Sequence, residues 1–400
     1  MIWSQRPARV RAPATSANLG PGFDALGLAL ALYDEVEARV TDGGLAIEVS
    51  GEGGATTADG EQHLVVMAMR AAFGAMGGQP PGIALRCVNA IPHGRGLGSS
   101  AAAICCGVLA ARALAGAGEA RLSDEAVFQL AAALEGHPDN VAACLSGGLT
   151  IAWTPRAGDD APSAAAPAHP PTSAAPTPAA PADPLTSAAP ISAVPGARRL
   201  KVPVPATLRA VACVPPAPLA TEAARQALPP AVPHADAAAN AARSALLIAA
   251  LTGAPQLLFE ATEDFLHQRY RAAIMPQTAR LLGALRRAGA AAVVSGAGPA
   301  VLVLSFDGQG PSAAAVDSIA RETGITWDVT PLRIDQQGAH LQQGGLGVHP
   351  PVSARRAPPQ DQVPGPGAGR MGGFRRDRAR LPRDTQTAVE GIPCALLVLS

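Results

Sequence analysis

"IPHGRGLGSSAAA", residues 91–103, sets glycines at 94, 96 and 98 and then opens an alanine-rich run. Glycine is used where the backbone must take a positive φ or let another group approach closely. Ser99 or Ser100 is placed to cap a helix that continues through "AAAICCGVLAARALAG". A glycine turn feeding a helix N-terminus offers free N–H groups and the positive end of the helix dipole, which together suit an anion such as phosphate. The stretch is not a Walker A loop, because no lysine follows its last glycine; the chain's one lysine is Lys201. Nor is it a dinucleotide fingerprint, since the glycines fall as GxGxG rather than GxGxxG. Any phosphate here is held by backbone and dipole, with Arg95 the one cation at hand.

The bulk properties bound what surrounds this loop. Four hundred residues suffice for two or three domains with sizeable cores. Net charge is zero, so no global field draws the chain to nucleic acid or an anionic membrane. Cysteines 87, 105, 106, 144, 213 and 394 show neither CxxC spacing nor a metal-ligand pattern with histidine, and the first four read as reduced core thiols. The opening "MIWSQRPARVRAP" lacks a signal-peptide apolar region, and no 18-residue apolar run is free of charge, so a soluble cytoplasmic protein is expected.

Residues 7–154 alternate short strands with helices. "ARVRAPATS", "DEVEARV" and "GIALRCVN" alternate as strands; "HLVVMAMRAAFGAMG" and "SDEAVFQLAAALEGH" carry helical apolar spacing; "SGGLTIAW" is a strand after a glycine turn. Residues 155–195 hold eleven of the 39 prolines and almost no large apolar residue, a composition expected to be disordered. It serves equally as a linker or as a surface-loop insertion. From 198, "RLKVPVPATLRAVACVPP" resumes strand-like alternation, "HADAAANAARSALLIAALTG" and "MPQTARLLGALRRAGA" are amphipathic helices, "AAVVSGAGPAVLVLSF" is strand, turn, strand, and "ITWDVTPLRI" is a last strand. After about 341 the chain becomes Gly, Pro and Arg without periodicity; its arginines between 355 and 383 lack interleaved aromatics beyond Phe374 and read as a solvated tail rather than a nucleic-acid grip.

Three further segments bear on the opening loop. "PATSANLGPGFDALGLAL", 13–30, reads as a polar loop bearing Asn18 and Asp24 between apolar runs. "EGHPDNVAACLSGG", 135–148, gathers Glu135, His137, Asp139 and Asn140 at a helix end. "SGAGPAVLVL", 295–304, is a glycine turn between strands. In this order and spacing the segments resemble the GHMP small-molecule kinases, and within them most closely the branch that phosphorylates L-homoserine. "TEAARQALP" and "FLHQRYRAAIMP" are similar to that branch's substrate arms. The resemblance covers roughly 7–154 and 198–341. One departure is Ala300, where the family usually carries Thr or Ser after "SGAGP".

The resemblance implies an α+β fold of two-domain GHMP kinase architecture: a ribosomal-protein-S5-like ATP-binding domain (1–154), a Pro/Ala-rich insertion (155–197), a ferredoxin-like C-terminal domain (198–341) and a tail (342–400). It implies ATP-dependent phosphorylation of the L-homoserine hydroxyl, a step of threonine biosynthesis, with Mg²⁺ as cofactor, no nucleic-acid or membrane partner, and room for a homodimer. The ATP cradle it implies comprises Pro92, His93, Gly94, Arg95, Gly96, Leu97, Gly98, Ser99, Ser100, Ala101 and Ala102, with Ser100 and Glu135 at the metal. Hard oxygen donors suit a cation that takes few protein ligands besides phosphate. An amino-acid substrate needs a carboxylate for its ammonium, matched by Asp24 with Asn18. It needs a guanidinium for its carboxylate, matched by Arg225 and by Arg271 in preference to Arg269, with Thr221 and His137 as neutral partners. Asp139 could accept the hydroxyl proton, as in some relatives; the reading adopted has Asp139 orienting the substrate and Asn140 positioning the transferring group. A mevalonate or sugar kinase is a weaker alternative, because those substrates give Asp24 no ammonium. A non-catalytic metabolite sensor is weaker too, because Ser100, Glu135 and Asn140 are all present.

Overall fold

The computed structural model describes residues 1–54, 60–155 and 196–342. They fall in one compact unit, Met1–Arg356; the other, Ala357–Ser400, lies outside the described residues. The disorder expected at 155–195, the solvated tail and Cys394 likewise fall almost wholly outside them.

Strands β1 (Ala8–Asn18), β2 (Gly22–Thr41) and β3 (Gly44–Gly51) come first, then helix α1 (Leu64–Ala75) and β4 (Gly82–Asn89). Helices α2 (Ser99–Leu114), α3 (Gly118–Arg121), α4 (Asp124–Glu135) and α5 (Pro138–Ser146) follow, then β5 (Leu149–Trp153) and β6 (Arg198–Val202). With β11 (His340–Leu341) these strands make a seven-stranded sheet in the order β11-β1-β2-β4-β3, and β5 pairs both β2 and β6. All pairings are antiparallel except β3 with β4.

The remaining elements are β7 (Leu208–Val214), α6 (Thr221–Gln226), α7 (His234–Thr252), α8 (Leu258–Ala261), α9 (Gln268–Arg271), α10 (Pro276–Arg287), β8 (Ala291–Val294), β9 (Val301–Phe306), α11 (Ala313–Arg321) and β10 (Asp328–Arg333). A four-stranded antiparallel sheet runs β10-β7-β9-β8. Its inner strands β7 and β9 and the short β8 are buried on both faces and read as nearly unbroken apolar runs, whereas the edge strand β10 leaves Pro331 and Arg333 exposed. Ala210, Ala212, Leu302 and Leu304 join the main core with α7, while Val211, Cys213, Val301 and Val303 pack with Leu281 and Leu285 of α10 and Val316 of α11. The protein is α+β with mixed sheets. No described helix is long and apolar enough to cross a membrane.

Two expectations are corrected. Residues 13–30 are not a polar loop: they are the end of β1, a three-residue turn and the start of β2. Thr15, Ser16 and Asn18 are polar yet buried because protein groups take up their hydrogen-bonding capacity, so hydrophilicity here does not mark solvent. The second is the boundary at 198. Residues 198–202 form β6, which pairs Leu149–Trp153 of the first sheet, so the chain enters the second sheet only at β7.

Asp34, buried in β2, ties this frame to the loop ahead. Its Oδ1 accepts from the N–H groups of Ala90 (2.8 Å) and Ile91 (2.9 Å). Burial outweighs those two hydrogen bonds and pushes its pKa up to about 7. A carboxyl raised in the fold stays protonated where the unfolded chain is ionised, so stability falls as pH climbs from roughly 4 towards 7. Asp34→Asn keeps an acceptor for both N–H groups and cannot ionise. At pH 8 it should be more stable than wild type by on the order of a few kcal/mol, and the gap should shrink by more than half at pH 5. Thermal melting at the two pH values checks this.

Candidate active site

The glycine loop lies where the two sheets meet, and every carbonyl in it is taken. Gly94 O accepts from Leu219 N (2.9 Å), Arg95 O from Ala300 N (3.1 Å), Gly96 O from Ser295 Oγ (2.6 Å), Leu97 O from Thr15 N (3.0 Å) and Gly98 O from Ala102 N (3.0 Å). No N–H from Gly94 to Ala101 donates to another described residue. The carbonyls are turned into the protein and the N–H groups are left for a guest. Gly98 itself is the N-cap of α2, with φ +69°, and neither Ser99 nor Ser100 caps the helix. The expected serine cap is absent because Ser100 Oγ donates instead to Glu135 Oε1, at 2.6 Å. Uncapped donors at the positive end of a sixteen-residue helix make an anion site.

A cavity of about 230 Å³ opens beside the loop. Asn18, Asp24, Ser100, Glu135, His137, Asp139, Asn140, Thr221, Arg225 and Arg271, drawn from distant parts of the chain, all line it. A second cavity of about 260 Å³ lies on the other side of Ser99 and Ser100, which border both; Val36, Val49, Leu64 and Ala103 give it apolar walls. Of the expected cradle, Gly94, Gly96, Gly98, Ser99 and Ser100 border the first cavity and His93 the second. Pro92, Arg95, Leu97, Ala101 and Ala102 border neither. Arg95 departs from its expected role, because its guanidinium donates to the carbonyls of His93, Pro215 and Pro216.

The charges are arranged in a definite order. Asn18 Nδ2 donates to Gly296 O (2.7 Å) and its Oδ1 accepts from Asp24 N (2.9 Å), so Asn18 holds Asp24 in place across the sheet junction. Asp24 pairs with Arg225 through two contacts, 3.0 and 3.3 Å. The two groups expected to hold opposite ends of a substrate thus hold each other. Both are more than a third exposed, so water screens the pair and it opens at little cost. Arg271, at 2% exposure, is instead fixed by Ala224 O, Gly296 O and the Nδ1 of His267. His267 Nε2 donates to Gly20 O, which leaves Nδ1 as the acceptor that Arg271 needs. Arg269 lies outside the cavity, paired with Asp236. His267 was not among the expected site residues, although it lies in the quoted segment "FLHQRYRAAIMP" and four positions before Arg271.

Glu135 closes α4, and Asp139 and Asn140 sit in the first turn of α5, after Pro138. Burial raises the carboxyl of Glu135 and that of Asp139 above the usual range. Asp139 Oδ1 accepts from the backbone N–H of Asn140 (2.7 Å) and lies 3.8 Å from His137 Nδ1. Ser100 is the one hydrogen-bond partner of the Glu135 carboxyl among the described residues, so two hard oxygens stand side by side at the helix mouth.

A methyl at Gly98 would lie 1.9 Å from Thr15 Oγ1, whereas one at Gly94 would meet nothing closer than 3.1 Å. Both have positive φ, so the difference isolates the steric cost. Gly98→Ala should lose at least about 2 kcal/mol of stability and most of its stabilisation by ATP; Gly94→Ala should lose roughly half as much or less. Thermal melting of each variant with and without ATP measures both effects.

The model of the GHMP kinases N terminal domain matches residues 63–148, and that of the GHMP kinases C terminal matches residues 236–325. The homoserine kinase of Streptomyces coelicolor is 49% identical over 331 residues, covering 83% of this chain and 93% of its own. That of Clavibacter michiganensis is 44% identical over 338 residues, covering 84% and 94%. The crystal structure of homoserine kinase from Cytophaga hutchinsonii superposes with a TM-score of 0.64 at 26% identity, covering 85% of this chain and 98% of that one. With its glycine loop, its two cavities and these matches across both halves, the chain belongs to the GHMP kinase family.

Proposed function

We propose that this chain is a homoserine kinase, which transfers the γ-phosphoryl group of ATP to the side-chain hydroxyl of L-homoserine. The observation that carries the reading is the Asp24–Arg225 pair beside Arg271 in the loop-side cavity. A zwitterion can enter that pair without leaving either charge alone, its ammonium taking Asp24 and its carboxylate taking Arg225 and Arg271. Asn18 holds Asp24, and Thr221 and His137 complete the pocket as neutral partners. The nucleoside occupies the apolar-walled second cavity, with its phosphates crossing the N–H groups at Ser99 and Ser100.

The hydroxyl oxygen attacks the γ-phosphorus. A new P–O bond forms, the bond to the β,γ-bridging oxygen breaks, and O-phosphohomoserine, ADP and a proton result. Such a transfer is governed by alignment and charge stabilisation more than by covalent help. Asp139 orients the substrate, since its Oδ1 is already committed to the start of α5. Asn140 positions the transferring group.

Magnesium fits this site. Ser100 and Glu135 supply two oxygens, and among the described residues no cluster of three or more acidic, histidine or cysteine ligands forms a cage. That donor set suits an ion completed by phosphate oxygens and water. When bound, it neutralises charge on the phosphoryl group. Glu135→Gln should cut kcat roughly tenfold or more at limiting Mg²⁺, with partial recovery as Mg²⁺ is raised. A variant with wild-type kcat at limiting Mg²⁺ removes Glu135 from the metal.

Substrate analogues test the zwitterion reading. 3-Aminopropanol, which lacks the carboxylate, and 4-hydroxybutyrate, which lacks the ammonium, should each lose about tenfold to several-hundredfold in kcat/KM, because a charged group is left unpaired. Arg225→Ala should erase most of the discrimination against 3-aminopropanol, with its defect on homoserine appearing first in KM. Equal turnover of homoserine and 3-aminopropanol by wild type refutes the assignment.

A further inference from the structure

We propose that Thr15 is a positioning residue for phosphoryl transfer, acting by fixing the amide of Asn140; this rests on the reading of Asn140 given above. Thr15 lies in β1, fully buried, with its backbone N–H on Leu97 O of the glycine loop. Its Oγ1 donates to Asn140 Oδ1 at 2.7 Å. An asparagine amide has one acceptor oxygen and two N–H donors. With Oδ1 taken from behind, Nδ2 is the polar end left to the cavity that Asn140 lines. A donor there stabilises the negative charge of the transferring phosphoryl group, whereas a carbonyl oxygen would oppose it.

The two ends of an amide are nearly the same size, so packing alone does not decide which faces the cavity. The hydroxyl decides it. Thr15 Oγ has no other hydrogen-bond partner among the described residues, and turning the amide over would strand its buried proton. The same hydroxyl lies under Gly98, where a Cβ would come within 1.9 Å of it and 3.2 Å of Asn140 Oδ1. One side chain thus touches the phosphate loop and the transfer residue together, and its absence should be felt in turnover rather than in binding.

The test is a kinetic cycle on the full chain with Thr15→Val, Thr15→Ser, Asn140→Ala and the double variant Thr15→Val/Asn140→Ala. Valine keeps the shape and removes the donor. It should lower kcat about tenfold to a hundredfold while both KM values stay within about threefold. Serine should restore most of kcat, and the double variant should be no slower than Asn140→Ala alone. A merely structural Thr15 would give losses that add in the double variant, and this would overturn the inference. Wild-type kcat in Thr15→Val beside a crippled Asn140→Ala would overturn it while leaving the Asn140 reading intact. Wild-type kcat in Asn140→Ala would bring down both. Where valine prevents folding, Thr15→Ala runs the same cycle.

Discussion

Backbone carbonyl oxygens and a phosphate repel each other, so a loop that cradles phosphate must first dispose of its own carbonyls. Here five consecutive ones, Gly94 to Gly98, are each given a donor. Two donors come from the first sheet's side, Thr15 and Ala102, and three from Leu219, Ser295 and Ala300. Thr15 and Ala102 sit in β1 and α2, Ser295 and Ala300 adjoin the ends of β8 and β9, and Leu219 lies just ahead of α6, so the N–H groups are aimed before any nucleotide arrives and binding does not have to order them. The glycines follow from the same demand. A Cβ at Gly96 would come within 2.2 Å of Ser295 O and one at Gly98 within 1.9 Å of Thr15 Oγ1, so at those two positions the loop reaches its anchors only without a side chain.

The substrate side is arranged differently. Arg271 is locked by three acceptors, while Arg225 holds a half-exposed partner that it can exchange. On the proposed reading, a fixed guanidinium would define where a substrate carboxylate lies, and the exchangeable one would supply charge without a standing desolvation penalty. His267, neutral because burial depresses its pKa, serves as an acceptor that a protonated imidazole could not be.

Much of this was legible in the sequence, and the failures have physical causes. Helices such as 64–75 and 276–287 carry a 3.6-residue apolar period, and the strand 82–89 alternates, so each was found close to its true bounds. The glycine loop, Glu135, His137, Asp139 and Asn140 were visible as punctuation between such runs. The stretch 13–30 was misread because its polar groups are satisfied by Asn140, Ser295 and Gly296, partners no local window contains. Strand β3 went unread: it is an edge strand with no fully buried residue, and glycines at both of its ends read as turns. Arg95 was misassigned because a cation next to a phosphate loop looks like a ligand until Pro215 and Pro216 are seen beside it. Thr15 and His267 lie inside segments the sequence singled out, but each acts through another side chain, Asn140 or Arg271, and that pairing is visible only in the fold.

The anchors of the glycine loop also set when, in the course of folding, the site comes into being. Ser295 and Gly96 are 199 positions apart, and Asn18 and Gly296 are 278. Contacts of such range close late, after local helices and hairpins have formed, because their chain entropy is spent before any of their enthalpy returns. A chain arrested with only its first sheet built would possess helix α2 and its dipole, yet three of the loop's five carbonyls would still face outwards. Lengthening the span between the anchors, as the Pro/Ala-rich stretch does, adds only a logarithmic increment to that entropy. The phosphate cradle is therefore a product of the whole fold rather than of its own stretch of chain: all five carbonyls have their donors only once both sheets are in place.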